Sequence, residues 1–148
     1  MTTILIRPAE KHDSQALWQL NRHEMGYQYS LDKSQNRLAE LLEDAKHHLI
    51  LVAIDPKTQQ LLGYIHAEYY ATLYAELKFN LLGLAVDQNY QRQGIGTALI
   101  NDLIKIGKTQ GIDAIRLNSG SERTSAHQFY QALGFRLVKT QKSFLKKI

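Results

Sequence analysis

One stretch near the middle of the chain limits the fold more than any other. It consists of an apolar run, Leu84–Val86, a polar turn from Asp87 to Gln93, and an apolar-periodic segment that begins with Gly94-Ile95-Gly96. Apolar residues then recur with helical spacing up to Leu99 and beyond. This order predicts a strand, a loop and the N-terminus of a helix.

The predicted helix start is suited to binding an anion. The first turn of a helix leaves backbone N–H groups without intrahelical partners, and the helix dipole adds partial positive charge there. Gly94 and Gly96 carry no Cβ atom, so an anion can approach the backbone closely. Arg92 adds a full positive charge beside the turn. The stretch is therefore typical of a phosphate-binding turn.

Two common phosphate motifs do not fit this chain. Gly107-Lys108-Thr109 matches the end of a P-loop, but Asp102 stands where its first glycine should be, and the segment closes a helix. A dinucleotide fingerprint needs a third small residue where this chain has Leu99. The pattern that fits is [RQ]-x-x-G-x-[GA], from Gln91 to Gly96. The alternative is a plain strand-to-helix turn whose glycines serve only its geometry.

Composition excludes several classes of protein. A length of 148 residues predicts a single domain over 1–148, and the absence of cysteine excludes disulfides, thiolate metal sites and a cysteine nucleophile. The net charge of +4 is scattered, which argues against nucleic acid and suits a small polyanionic ligand. No apolar run approaches the roughly 20 residues that span a bilayer, and no signal-peptide pattern opens the chain. We therefore expect a cytoplasmic protein that does not bind membranes.

The hydrophobic pattern predicts the remaining elements in order. Strands are expected over 3–8, 48–54, 61–73, 77–86, 114–117 and 136–145. Helices are expected over 14–20, 38–45 and 124–133, and from 95 to an end near Gly107 or Gly111. We expect Asp13 or Ser14 to cap the first helix, and Thr124 or Ser125 the last. The order β-α-α-β-β-β-α-β-α-β predicts an α/β (α+β) fold with one mixed, twisted sheet flanked by helices on both faces.

The alternation in the fourth predicted strand slips by one residue. Leu77, Phe79 and Leu81 are apolar at odd positions, and after Leu81 the apolar set becomes Leu82, Leu84 and Val86. One extra residue in a strand is a β-bulge, and Gly83 lies beside the slip. A bulge splays neighbouring strands and frees backbone groups, so we expect the gap to receive an extended ligand.

A second motif lies in the last third of the chain. The segment from Arg123 to Phe135 is similar to N-x-x-A-x-x-F-Y-x-x-x-G-F, with Arg123 in place of the asparagine. Together with the segment Gln91–Gly96 and the element order, it resembles the GNAT superfamily of N-acetyltransferases, of the bacterial small-molecule type. The resemblance covers nearly the whole chain and implies the GNAT fold.

The resemblance implies acetyl-CoA (coenzyme A) as cofactor and assigns its contacts by position. It places the pyrophosphate at the turn, the thioester and pantetheine arm at the backbone of the strand before it, and further contacts near the last helix. The implied set is Leu84, Ala85, Val86, Gln91, Arg92, Gln93, Gly94, Ile95, Gly96, Thr97, Asn118, Ser125 and Tyr130. Tyr130 matches the family tyrosine that protonates the departing thiolate, and its alternative is a half-buried side chain without chemistry.

The general base and the acceptor pocket are less well marked. Family members often carry a glutamate on the fourth strand, but residues 80–83 contain no acidic side chain, so Glu68 and Glu76 are the candidates, each with a solvated surface role as alternative. Tyrosines and carboxylates together suit a cationic amine. We expect such a pocket from Tyr27, Tyr29 and Tyr70, with Glu24 among its carboxylates, although tyrosines also simply pack in strands.

The predicted function is N-acetylation of the primary amine of a small molecule. Without a cysteine, direct transfer in a ternary complex is favoured over an acyl-cysteine intermediate. The alternatives are acetylation of a protein or peptide amino group, and a non-enzymatic module that senses coenzyme A. The six histidines show no zinc spacing, so no metal is expected. A homodimer is left open.

Overall fold

The computed structural model describes residues 3–148 and contains five strands and four α-helices. The strands are β1 (Leu5–Pro8), β2 (His48–Ile54), β3 (Leu61–Thr72), β4 (Ala75–Val86) and β5 (Ile115–Leu117). The helices are α1 (Ser14–Met25), α2 (Leu31–Glu43), α3 (Ile95–Thr109) and α4 (Thr124–Ala132). Internal contacts divide the chain into a sheet unit, which ends at Leu117, and a C-terminal unit, Asn118–Ile148. Within residues 3–148, every helix is too short or too polar to cross a bilayer.

The sheet unit contains the mixed sheet that the sequence predicts. Its strands lie in the order β1-β2-β3-β4-β5. Successive pairs from β1 to β4 are antiparallel, and β5 joins β4 in parallel. The α/β (α+β) prediction is confirmed.

Helices cover both faces of this sheet. On one face Leu17, Leu20 and Leu38 from α1 and α2 pack with Val52 and Tyr64 in a buried core. On the other face lies α3, whose inward side chains Leu99, Ile100 and Leu103 are at most 1% exposed. Its Gly107 lies so close to Phe79 that an added Cβ would be 2.9 Å from the ring. Each face of the sheet thus has its own core.

The first helix is not capped as expected. Asp13 occupies the N-cap position of α1 without capping it. Its carboxylate instead accepts two hydrogen bonds from Arg7, at 2.8 and 3.0 Å, and one from the Glu10 backbone N–H at 2.8 Å. Burial raises the pKa of Asp13, but these hydrogen bonds and the Arg7 charge outweigh burial and leave the pKa below its ordinary value. The pair joins β1 to the start of α1.

The predicted bulge is present in β4. Ala67 of β3 faces Leu81, and His66 faces Gly83, so Leu82 has no partner on β3. The extra residue reverses the alternation, which places Asn80 and Gly83 on the same face of the sheet. A Cβ atom on Gly83 would lie 2.6 Å from the Tyr64 hydroxyl, so the bulge requires glycine there.

The prediction of a last strand over 136–145 is wrong. Residues 135–148 form neither helix nor strand, and Leu137, Val138, Phe144 and Leu145 are more than 70% exposed. Alternating apolar residues describe a chain that can form a strand, but a strand exists only when a neighbour pairs with its backbone. The predicted caps of α4 are also wrong, because Arg123 occupies the N-cap position and Thr124 begins the helix.

Candidate active site

The site is centred on the half of β4 that β5 does not reach. The parallel pairing joins Phe79–Leu81 to Ile115–Leu117, whereas β4 continues to Val86. In the described sheet, no strand pairs with this edge of β4 beyond Leu81. The opening begins at the bulge residue Leu82, so the bulge and the end of β5 together leave backbone groups available to a ligand.

The turn that leads from β4 to α3 is held by hydrogen bonds. Asp87 Oδ1 accepts from the Asn89 N–H at 2.9 Å, and Gln91 Nε2 donates to the Val86 carbonyl at 3.0 Å. The carboxylate of Glu24 accepts from the Gln88 N–H and from Gln91 Nε2, both at 3.2 Å. Glu24 therefore secures this turn, and its place in the acceptor pocket stays a prediction.

The turn ends in an uncapped helix N-terminus. Arg92 and Gly94 both have positive φ, +63° and +84°. No side chain caps α3 at Gly94, and its first intrahelical bond runs from the Ala98 N–H to the Gly94 carbonyl at 2.9 Å. The N–H groups of Ile95, Gly96 and Thr97 precede that bond and have no acceptor within the helix. Together with the left-handed residues they form a concavity that suits an anion.

Four half-buried polar side chains cross the sheet near the bulge, and we call them the polar row. His48, Glu68, Asn80 and Arg116 stand at facing positions on β2, β3, β4 and β5. Asn80 Nδ2 donates to Glu68 Oε1 at 2.7 Å, and Arg116 Nη1 donates to Asn80 Oδ1 at 2.8 Å. The Arg116 guanidinium also lies over the Tyr70 ring, 4.6 Å from its centroid.

His48 of the polar row lies beside a second histidine, His66. His48 Nδ1 lies 3.0 Å from His66 Nε2, which is hydrogen-bond distance. Burial, the largest cause, and the nearby His48 together lower the pKa of His66 to about 4, although Glu68 opposes them. His66 is therefore neutral at pH 7. Sequence spacing could not reveal this pair, because the two residues meet across β2 and β3.

An aromatic pocket of about 300 Å³ lies at the end of α1. Its walls are Trp18, Asn21, Tyr27, Gln28, Tyr29 and Ser34. Trp18 Nε1 donates to the Tyr29 carbonyl at 2.7 Å and holds the loop against the helix. The structure thus brings together Tyr27 and Tyr29 of the predicted acceptor residues, whereas Tyr70 lies beside Arg116 instead. Trp18 was missed, because its place in α1 marks it only as an amphipathic helix residue.

The two candidate bases differ in their surroundings. Glu68 is half-buried and hydrogen-bonded in the polar row. Glu76 is exposed near the start of β4, beside the turn that joins β3 to β4. Only Glu68 is held in a fixed place among other polar groups.

The C-terminal unit carries the remaining predicted residues. Tyr130 packs edge-on between Phe129 and Phe135, with ring centroids 5.4 Å apart in both pairs. Burial raises the pKa of the Tyr130 phenol, and the Arg123 charge opposes this only partly. The hydroxyl therefore stays protonated, and able to donate, at neutral pH. Asn118 and Ser125 belong to the same unit, with Ser125 exposed.

The described residues contain no ready cluster of metal ligands. Within the part of the chain that the structure describes, no group of three or more histidine, aspartate or glutamate side chains could hold a metal ion.

Comparison with known proteins gives relatives for both sequence and fold. Residues 14–135 match the model of the acetyltransferase (GNAT) family. Human N-acetyltransferase 8 is 36% identical over 69 residues, which make up 47% of this chain and 30% of the relative. The matched segments span about a third of the length of the curated relatives.

Solved structures match almost the whole chain. The aminoglycoside 6'-N-acetyltransferase AAC(6')-Ih from Acinetobacter baumannii has a TM-score of 0.83 at 23% identity, with 99% of each chain covered. AAC(6')-Iy, solved with a coenzyme A bisubstrate analogue, has a TM-score of 0.84 at 19% identity, again with 99% of each chain covered. At these identities the likeness concerns the fold. From the family match and this shared fold it follows that the chain belongs to the GNAT family of acetyltransferases.

Proposed function

We propose that this chain is an acetyl-CoA-dependent N-acetyltransferase that transfers the acetyl group directly to the primary amine of a small molecule. One observation carries the proposal: the unpaired edge of β4 runs through the turn at Gly94 into the uncapped N-terminus of α3. An extended arm and a phosphate group need these two surfaces in this order. Acetyltransferases of this family use acetyl-CoA, which has both parts.

In this proposal the cofactor contacts two surfaces of the sheet unit. The pyrophosphate binds the concavity formed by Arg92, Gln93, Gly94, Ile95, Gly96 and Thr97. The pantetheine arm and thioester lie against the backbone of Leu84, Ala85 and Val86. Gln91 supports the turn, since its side chain already bonds the Val86 carbonyl and Glu24. The assignments of Asn118, which follows β5, and of Ser125 in the second motif rest on the sequence resemblance alone.

Bound acetyl-CoA supplies a thioester whose carbonyl carbon the amine attacks. An amine is protonated at neutral pH, so it must first lose a proton, and we assign Glu68 as the acceptor of that proton. Glu76 is the weaker candidate, because it is exposed to solvent. Tyr130 donates its proton to the departing thiolate, and its raised pKa keeps the hydroxyl protonated until that step. The balanced reaction consumes the ammonium and the thioester, and yields the amide, the thiol and one proton.

The acceptor amine lies on the face that α1 and α2 cover. The aromatic pocket at Trp18, Tyr27 and Tyr29 suits its apolar body, and Tyr70 suits its cationic end, because aromatic faces attract cations. Two of the matched structures are aminoglycoside acetyltransferases, which makes aminoglycosides one class to test.

The experiment is the release of free thiol from acetyl-CoA across a panel of amines, run with a thermal-shift series. The panel holds polyamines, aminoglycosides, amino acids, arylalkylamines and a peptide with a free N-terminus. Release with a small amine supports the proposal. Release with the peptide alone would mean that the substrate is a protein or peptide and not a small amine. Thermal stabilisation by acetyl-CoA without any thiol release would favour a non-enzymatic module that senses coenzyme A. The absence of stabilisation would contradict the cofactor assignment.

Replacement of Tyr130 tests its role separately. Tyr130→Phe keeps the ring packing and removes the acidic proton, so we expect turnover to fall by about 10²-fold while the affinity for acetyl-CoA stays nearly unchanged. Steady-state kinetics and calorimetry measure the two quantities. An unaltered turnover would remove Tyr130 from the reaction.

A further inference from the structure

The polar row contains a carboxylate beside β4, although β4 itself carries none near the bulge. Residues 80–83 contain no acidic side chain, but Asn80 hydrogen-bonds to a carboxylate on the neighbouring strand. Arg116 can only donate and an ionised Glu68 can only accept. The Asn80 amide therefore has one orientation that satisfies both neighbours, with its oxygen toward Arg116 and its nitrogen toward Glu68.

Arg116 anchors the far end of the row. Its guanidinium is held over the Tyr70 ring and is bonded to Asn80, so two strands fix its position. An amide between a fixed cation and a carboxylate restricts the carboxylate to one rotamer. It leaves the second oxygen, Oε2, for a further donor.

We propose that Asn80 is a positioning residue for acetyl transfer: backed by Arg116, it fixes the Glu68 carboxylate as the group that takes the proton of the acceptor amine. This inference rests on the proposed function of the same site. It adds that β4 contributes an amide in place of a carboxylate, while β3 contributes the base.

Other ionisable groups share the face around Glu68. His48 faces it from β2, and His66 and Tyr70 lie two residues away on either side along β3. Lys78 faces Tyr70 from β4. His66 is neutral at pH 7, so the expected pH effects centre on the carboxylate and the neighbours that Asn80 connects to it.

The decisive variant is Asn80→Asp, which keeps the shape and puts a second carboxylate beside Glu68. Two carboxylates in contact bind a shared proton, so we expect the acid limb of the kcat/KM profile to move up by about one pH unit or more. Asn101→Asp makes the same chemical change on the exposed surface of α3 and is the matched control, with an unmoved profile expected. The dissociation constant of acetyl-CoA, measured by calorimetry, shows that each variant is folded.

Two further variants separate positioning from a structural role. Glu68→Gln should lower kcat by about 10²-fold, the contribution of one general base. Asn80→Leu should lower kcat about tenfold, with the KM for acetyl-CoA unchanged, because a hydrogen bond to a charged group is lost. In the Glu68→Gln background the same Asn80→Leu change should have little further effect, since its partner no longer acts.

Each other outcome overturns the inference. If Glu68→Gln retains full turnover, Glu68 is not the base, although the proposed acetyltransferase activity is not contradicted. If Glu68→Gln loses turnover but Asn80→Asp leaves the profile where it was, Asn80 does not position it. If the unaltered protein fails to bind acetyl-CoA, the proposed function fails and the inference fails with it.

Discussion

Gly94 and Gly111 meet the same conformational demand at different places in the molecule. Both have positive φ, +84° and +73°, and a Cβ atom added to either would find nothing within 4 Å. A side chain at either position is therefore disfavoured by backbone conformation and not by lack of space. The left-handed conformation costs an ordinary L-residue roughly 1–2 kcal/mol.

This pair gives a controlled test of the phosphate turn. Gly94→Ala and Gly111→Ala should each lower the free energy of unfolding by about 1 kcal/mol, measured by urea denaturation. Only Gly94→Ala should weaken the binding of acetyl-CoA, measured by calorimetry, because only Gly94 opens α3. Equal affinity in the two variants would place the phosphate elsewhere.

Asp13 makes stability depend on pH in a defined direction. Its pKa in the folded protein is lowered, so its contribution is complete above the unfolded pKa of about 3.9 and is lost as the pH falls through the folded value. Asp13→Asn should cost about 3 kcal/mol at pH 7, because it leaves the Arg7 charge without its partner. The gap between the variant and the parent should begin to narrow below about pH 4 and close only below the folded pKa of Asp13.

Chemical denaturation at several pH values measures this effect. Asp113→Asn removes an exposed carboxylate and serves as control, with a change of less than about 0.5 kcal/mol. A gap that persists unchanged into acid would show that the stabilisation does not come from the ionised form of Asp13.

At the level of elements, the bulge in β4 allows an unusual deletion. Leu82 is the residue without a partner on β3, so its removal lets Leu81 and Gly83 follow each other in an unbroken ladder, with every other side chain kept on its own face. We expect the deletion variant to fold and to keep its thermal midpoint within a few degrees. Its affinity for acetyl-CoA should fall at least tenfold, because the strand no longer bends away from β5.

Thermal scans and calorimetry test the deletion, and Leu82→Ala is the control. Leu82 is 47% exposed, so its truncation should change little as long as the bulge remains. Unchanged binding in the deletion variant would mean that the end of β5 alone makes the opening.

The hydrophobic pattern predicted elements well where a strand is buried on both faces or where apolar and polar residues alternate strictly. The bounds of β2 agree with the prediction, and the phase slip after Leu81 located the bulge. The prediction for α2 began at Leu38, whereas the helix begins at Leu31, where Ser30 Oγ caps it by accepting from the Lys33 N–H at 3.1 Å. Its first two turns are mostly polar, so apolar spacing could not detect them.

At the level of the whole molecule, the predictable part of the site is the part that is contiguous in sequence. The turn from Gln91 to Thr97 was recognised because its strand, loop and helix follow one another. The polar row was not, because strand register alone brings Asn80 between Glu68 and Arg116, and the bulge shifts that register by one residue. Long-range pairing decides such contacts, and single-residue patterns do not contain it.

The bond from Glu24 to the turn has a consequence for how the two ligands bind. Glu24 belongs to α1, which also lines the aromatic pocket, and its carboxylate holds the Gln88 N–H and Gln91 Nε2. Because α1 lines the proposed acceptor site and holds the proposed phosphate turn, it connects the two sites physically. Any coupling through it is reciprocal, so each ligand changes the affinity of the other by the same factor.

That coupling predicts cooperative binding of the two ligands. Saturating coenzyme A, which cannot react, should tighten the binding of the amine by about fivefold or more in the parent protein, and Glu24→Ala should bring this factor toward one. Glu43→Ala, at the exposed end of α2, should leave it unaltered. Amine titrations with and without coenzyme A measure the factor, and a factor retained in Glu24→Ala would locate the linkage outside α1. One carboxylate would then set not the chemistry of this protein but how strongly each of its two ligands favours the binding of the other.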